Sequence, residues 1–314
     1  MNQDPILIVD EVHPIFFETL EKHGMKFDYK PNLNREEALS IIPTYEGLVI
    51  RSKFYVDADF LKQAKKLKFI ARGGAGLDGI DEQYCDEHRI LVFNAPEGNR
   101  DAVGEHMLGM LLSLLHNLKR ADDQVRDGQW LREANRGYEL KGKTVGLIGY
   151  GNNGRATAKK LHGFDVNTLA YDKYKVNYGD QYAKKATMEE IFEQAEVVSF
   201  HIPLTEETKG MINSSYLSKF QNPIYLLMGA RGGVMHMDAL LEGLGNNKIL
   251  GAAFDVLPVE KFPELNEQEW FKELKAKDNV LFSPHVAGWT HESHYKISEV
   301  LAKKIIKLYA LITP

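Results

Sequence analysis

Short β-rich apolar runs alternate with amphipathic helical stretches along almost the whole chain, and this alternation restricts the fold more than any other feature. Apolar runs at 6–9, 47–50, 69–71 and 91–93 end close to Gly, Asp, Arg or Asn. Between them, segments 13–22, 35–42, 58–66 and 81–88 carry apolar residues at helical spacing. Strands joined through helices of this length pair in parallel by right-handed crossovers. A second series starts at Thr144, with strands expected at 145–148, 168–171, 197–200, 224–228, 250–254 and 280–282. Six strands with intervening helices match the size of a complete dinucleotide-binding sheet.

The two series meet at Asn94-Ala95-Pro96-Glu97-Gly98-Asn99, which reads as a turn leading into a long helix over 100–126. Asp101 and Glu105 lie near its start, and Lys119, Arg120 and Arg126 towards its end, as the helix dipole favours. The segment 291–311 is again helical, with Lys303, Lys304 and Lys307 on its polar side. If it packs back on the first series, residues 1–99 and 285–314 form one discontinuous domain around an inserted domain, 100–284.

A chain of 314 residues, 44% hydrophobic and 26% charged, is long enough for two such cores without staples. Its one cysteine, Cys85, excludes an internal disulfide framework. The 39 basic and 44 acidic residues give a net charge of −5, so neither nucleic acid nor an anionic membrane is an expected partner. Asp10 and Glu11 cut off the first apolar run, so no signal peptide is expected. The longest apolar run, 107–115, is too short to span a bilayer. A cytoplasmic location is the expectation.

Gly149-Tyr150-Gly151-Asn152-Asn153-Gly154 fits G-x-G-x-x-G, a weak signal in a chain with 26 glycines. Its context strengthens it, because a strand precedes it and a helix follows. The first glycine permits the tight turn, the second lets backbone approach a pyrophosphate, and the third allows close helix–strand packing. Asp172 ends the next strand about 20 residues on, where a carboxylate accepts from ribose hydroxyls and repels a 2′-phosphate. NAD is therefore expected over NADP, with Lys173 and Lys175 close enough to moderate the preference. Asn153 occupies a slot that commonly holds an aliphatic residue; its amide either faces the pyrophosphate or needs a buried partner.

Hydride transfer at a hydroxyl-bearing carbon needs a base, a cation for the substrate's charged oxygens, and a group that orients the base. Such residues belong just beyond the C-terminal ends of parallel strands. Arg231 follows the 224–228 run, Glu260 lies shortly after the run ending at Phe254, and His285 follows 280–282. Each alone reads as a surface charge or a hydrogen-bonded loop residue. Three at consecutive strand ends favour an Arg–Glu–His constellation, since a carboxylate on one ring nitrogen of a histidine fixes its tautomer.

These residues resemble the D-isomer-specific 2-hydroxyacid dehydrogenase family. The resemblance runs through Arg72-Gly73-Gly74-Ala75-Gly76-Leu77-Asp78, Ala102-Val103-Gly104-Glu105-His106, the glycine turn, His201-Ile202-Pro203-Leu204-Thr205 with Thr208, Ala230-Arg231-Gly232, Asp255-Val256 and Pro284-His285. It implies a Rossmann domain inserted into a discontinuous flavodoxin-like substrate domain. It further implies Arg231 as substrate-binding cation, His285 as acid/base and Glu260 as its partner. The cofactor side would comprise Val103, Gly149, Gly151, Asn152, Asn153, Gly154, Asp172, His201, Pro203, Thr208, Gly229, Ala230, Asp255 and Gly288. The backbone of Gly74 and Ala75 would receive the substrate carboxylate. Departures from the pattern are Gly229 in place of Thr, Asn or Ser, Trp289 in place of a small residue, Lys261 in place of Pro, and Asn153.

Arg51 and Lys53 follow the 47–50 strand and resemble the phosphate-contacting cations of the family's D-3-phosphoglycerate dehydrogenases, as a cation pair suits a dianion. That substrate is the leading expectation, followed by glyoxylate or hydroxypyruvate reduction and then D-lactate-type acids. The chain ends soon after the closing helix, so an appended regulatory domain is not expected. A homodimer is implied by the family, with the 100–126 helix as the interface. Two rival readings are an NAD-sensing binding protein without turnover and a formate or phosphite oxidase.

Overall fold

The computed structural model describes residues 4–312. They form two compact units, one comprising the chain up to Asn99 and from Trp289 onward, the other Arg100–Gly288. Among the described residues no helix is long and apolar enough to cross a membrane.

The first unit is built on five parallel strands: β1 (Ile6–Ile8), β2 (Phe27–Tyr29), β3 (Gly47–Ile50), β4 (Phe69–Arg72) and β5 (Leu91–Asn94). Their order, β2-β1-β3-β4-β5, is the flavodoxin-like one. Successive strand residues enter opposite cores, as the two-residue period of a strand requires. Leu7, Leu48, Ile50 and Ile70 pack on one face, while Ile6, Ile8, Val49 and Phe69 pack on the other with Leu301, Ala302 and Ile305 of the closing helix His291–Ile312. β2 was not expected from the sequence. It is three residues long, at the sheet edge, with Asp28 and Tyr29 exposed, and so carries little apolar signature.

The second unit has seven strands rather than the six expected: β6 (Thr144–Ile148), β7 (Asn167–Tyr171), β8 (Lys184–Lys185), β9 (Val197–Phe200), β10 (Ile224–Met228), β11 (Ile249–Phe254) and β12 (Val280–Phe282). The extra one, β8, is an edge pair of exposed lysines with no hydrophobic pattern to reveal it. The order β12-β11-β10-β9-β6-β7-β8 is parallel throughout, and the chain runs outward in both directions from the β6/β9 pair. This is the Rossmann arrangement, in which ligands bind beyond the strand ends at that switch point.

Two helical expectations need correction. The long helix begins at Pro96, where a proline's missing N–H costs nothing, so residues 96–99 are helical rather than a turn. It runs only to Leu115. Asn117, in the left-handed region at φ 53°, breaks it, and a separate helix covers Leu118–Arg126. The return into the first unit comes at Trp289 rather than His285. The amides of His285, Val286 and Ala287 all bond to Asp255, which keeps this turn in the second unit.

Candidate active site

The glycine turn leaves β6 and enters the helix Asn152–Leu161, with Gly151 as its N-cap. Gly149 sits at φ 93°, and a β-carbon there would lie 2.5 Å from the carbonyl oxygen of His201. A β-carbon on Gly154 would lie 2.0 Å from the carbonyl oxygen of Gly149. Gly151 differs, because nothing lies within 4 Å of the place its β-carbon would take. Two glycines thus hold the turn together while the middle one keeps space open at a helix N-terminus, where free N–H groups favour an anion.

Asp172 follows β7 and knits the turn. One carboxylate oxygen accepts from the Tyr150 N–H at 3.0 Å, and the other accepts from the N–H groups of Tyr174 and Lys175 at 3.1 Å. The neighbouring lysines are engaged elsewhere. The Lys173 ammonium pairs with Glu207, which also accepts from the Tyr174 hydroxyl at 2.9 Å, and the Lys175 ammonium donates to the Tyr150 carbonyl at 2.7 Å. Both lysines, expected from proximity in sequence to moderate the NAD preference, thus have contacts of their own.

Asn153 has a buried Oδ1 with no hydrogen-bond partner. Such an orphan is unfavourable by about 1–3 kcal/mol. Asn152 opens the helix beside it. His201 follows β9, with Nε2 2.9 Å from the Ser199 hydroxyl and a buried Nδ1 without a partner; burial pushes its pKa down to about 4, leaving it neutral. The Thr208 hydroxyl donates to the Pro203 carbonyl at 2.7 Å and fixes the loop after it. Val103 is buried in the core shared with Leu147 and Tyr150.

At the end of β10, Gly229 and buried Ala230 lead into Arg231, whose Nη1 donates to the Ala230 carbonyl at 2.8 Å. The Met107 sulfur lies 2.6 Å from where a Gly229 β-carbon would be, so the missing side chain is matched by a thioether filling its space. After β12, His285 occupies the left-handed region at φ 56°. A non-glycine residue there costs on the order of 1–3 kcal/mol. That cost is met by bonds from its N–H to the Asp255 carbonyl (2.8 Å) and the Ser283 carbonyl (3.0 Å). The same conformation brings the His285 Nδ1 within 2.8 Å of Glu260 Oε2. Glu260 is held by the Leu257 N–H at 3.3 Å. Burial raises its pKa, but the hydrogen bond and charge of His285, the Leu257 N–H and the charge of Arg231 outweigh that and bring it below the ordinary glutamate value. Arg231, Glu260 and His285 thus lie within electrostatic reach in one unit. Replacement of the family's Pro by Lys261 does not disturb the Glu260–His285 contact.

In the first unit, Asp10 accepts from the backbone N–H groups of Arg51, Ser52 and Lys53 at 2.6–3.3 Å, which shapes the loop after β3. The Arg51 guanidinium stands 3.1 Å from the centroid of Trp289, and burial, with Arg72 nearby, lowers its pKa to about 10. The Lys53 ammonium donates to the Pro31 carbonyl rather than lying free beside Arg51. A β-carbon on Gly74 would strike the Arg72 guanidinium at 1.8 Å, and the Gly74 N–H already bonds to the Arg72 carbonyl at 2.8 Å. Ala75 accepts through its carbonyl from the Asn94 amide.

The family model described as D-isomer specific 2-hydroxyacid dehydrogenase, NAD binding domain, matches residues 108–287. The chain belongs to this family. Its second unit is the family's NAD-binding domain, and the open space at Gly151 and the position of Asp172 fit NAD. The chain is 32% identical over 305 residues to D-3-phosphoglycerate dehydrogenase of Archaeoglobus fulgidus, covering 96% of this chain but 57% of that protein. It is 36% identical over 276 residues to hydroxypyruvate reductase of Thermotoga maritima, covering 88% and 89%. Among solved structures, D-lactate dehydrogenase from Aquifex aeolicus complexed with NAD and lactic acid aligns with a TM-score of 0.81 at 27% identity, over 97% of this chain and 95% of that one. The chain therefore spans little more than half the length of the first relative and most of the other two.

Proposed function

We propose that this family member is an oxidoreductase acting on the C2 position of a D-2-hydroxy acid or the corresponding 2-oxo acid. The observation that carries this reading is the 2.8 Å contact between His285 and Glu260, with Arg231 charge-coupled to Glu260 at the neighbouring strand end. NAD, when bound, supplies the hydride acceptor. His285 presents Nδ1–H to Glu260, which leaves Nε2 to take the hydroxyl proton and to return it in the reverse direction. Glu260, ionised at neutral pH, stabilises the imidazolium that forms. Arg231 supplies the guanidinium for the substrate carboxylate. In the first unit, Arg51, Lys53 and the Gly74–Ala75 backbone are the proposed substrate contacts. Gly149, Gly151, Asn152, Asn153, Gly154, Asp172, His201, Pro203, Thr208, Gly229, Ala230 and Gly288 are proposed to line the cofactor. A cytoplasmic location is part of the same proposal.

For the substrate, 3-phosphoglycerate is supported by the relatives named for it. Hydroxypyruvate, with glyoxylate as its close analogue, is the second reading, and one observation favours it. Lys53 donates to the Pro31 carbonyl and Arg51 is stacked on Trp289, so a phosphate would have to compete with both contacts. D-Lactate-type acids come third. Reduced-nicotinamide absorbance across 3-phosphoglycerate, hydroxypyruvate, glyoxylate, D-lactate and formate, run with NAD and NADP in turn, tests all of these. Turnover on a 2-hydroxy or 2-oxo acid with NAD supports the reading. NAD binding without turnover on any of them favours a sensing protein, and turnover on formate alone favours a one-carbon oxidase.

A further inference from the structure

Asp255 is only 3% exposed, and its carboxylate is committed to the turn that carries His285. Oδ1 accepts from the Val286 N–H at 2.9 Å and from the Ser283 hydroxyl at 2.5 Å, and Oδ2 accepts from the Ala287 N–H at 2.9 Å. The Asp255 carbonyl takes the N–H of His285 itself at 2.8 Å. The Ser283 hydroxyl also lies 2.8 Å from Nε2 of His106, on the helix Pro96–Leu115. A hydroxyl has one proton, and an ionised carboxylate has none to give. The Ser283 proton therefore goes to Asp255, so the Ser283 oxygen accepts from His106, which must carry its proton on Nε2. Donor counting thus fixes the direction of the whole chain, from imidazole N–H to hydroxyl to carboxylate. A buried carboxylate is tolerated only when its oxygens are satisfied, and the three donors it has here are those that shape residues 283–287.

We propose that His106 and Ser283 are positioning residues for His285, acting through Asp255. They hold the 285–287 turn in the conformation that presses the imidazole against Glu260. On this reading Asp255 serves the turn as well as the cofactor contact that the family resemblance implies, since its Oδ2 accepts only one bond here. The inference rests on the acid/base role proposed for His285.

The test compares Ser283→Ala with Ser283→Thr, and His106→Leu with His106→Gln, in the full chain. Ser283→Ala and His106→Leu each lower kcat about tenfold with the KM for NAD held within about twofold. Threonine, which restores the hydroxyl, and glutamine, which restores an N–H donor, recover most of the loss. The double variant Ser283→Ala/His106→Leu is no worse than the Ser283 variant alone, because both cut one chain. The second readout is the downfield proton resonance of the His285 Nδ1–H, assigned by its disappearance in His285→Ala. It shifts or broadens in the two disruptive variants and returns in the two conservative ones. If Ser283→Ala does not fold, the His106 pair carries the test. Wild-type kcat and an unchanged His285 resonance in His106→Leu would overturn the inference while leaving the acid/base reading intact. Full turnover in His285→Ala would instead overturn the reading on which it rests.

Discussion

Glu260 and His285 are 25 positions apart in the chain, yet their contact sets the protonation behaviour of the pair. The folded pKa of Glu260 lies below its ordinary value of 4.5, so the carboxylate contributes stability above that value and loses it as pH falls through the folded one. Melting temperatures of wild type and Glu260→Gln are expected to differ most near neutrality and to converge below about pH 4.5. The same variant lowers kcat by on the order of 10²-fold, because the imidazolium loses its counter-charge. His201 behaves with the opposite charge type but the same direction. Its pKa falls from 6.5 to about 4 on burial, so its contribution is complete above pH 6.5 and drains as pH drops towards 4. His201→Gln should flatten that part of the acid-side fall in melting temperature. At this scale Arg231, His285 and Asp172 were legible in the sequence because they stand just after apolar strand runs, and Glu260 because it lies in the loop six residues beyond one. The Lys173–Glu207 and Lys53–Pro31 pairings were not, since each joins residues whose approach depends on loops with no periodicity.

The glycine turn makes the clearest prediction about an element. Gly154→Ala places a methyl against the Gly149 carbonyl and should cost about 1–3 kcal/mol of stability. Gly151→Ala enters open space and should cost under about 1 kcal/mol. Both should weaken NADH binding about tenfold or more, measured by fluorescence titration beside thermal melts. Equal stability loss in the two variants would remove the distinction between a packing glycine and a ligand-facing one. The strand positions were legible because nearly every buried strand is an unbroken apolar run, as parallel sheets demand. The break at Asn117 was not. Residues on both sides favour a helix, and only the left-handed conformation of one asparagine separates Leu115 from Leu118. The edge strands β2 and β8 bury too little apolar surface for a sequence pattern to reveal them.

For the whole molecule, a homodimer is proposed from the exposed apolar residues Leu118, Val125, Trp130, Leu131 and Tyr138, which lie within or shortly after the helix Leu118–Arg126. Scattered apolar side chains are ordinary on a surface, and the five within 21 positions of this segment are offered as the interface. Sedimentation should give twice the 35.7 kDa chain mass, and Trp130→Asp should shift the protein towards the monomer. The division into two units was anticipated from the two strand series, while the seam at Gly288 depends on the Asp255 hydrogen bonds, which no sequence pattern signals. The central claim is that one imidazole moves the substrate proton while the rest of the second unit holds NAD. Its most direct test pairs steady-state turnover on the best acid of the panel with NADH titration in His285→Ala. The expected result is a fall in turnover of roughly 10²–10⁴-fold with NADH affinity nearly unchanged. Turnover equal to wild type, at the same NADH affinity, would contradict it.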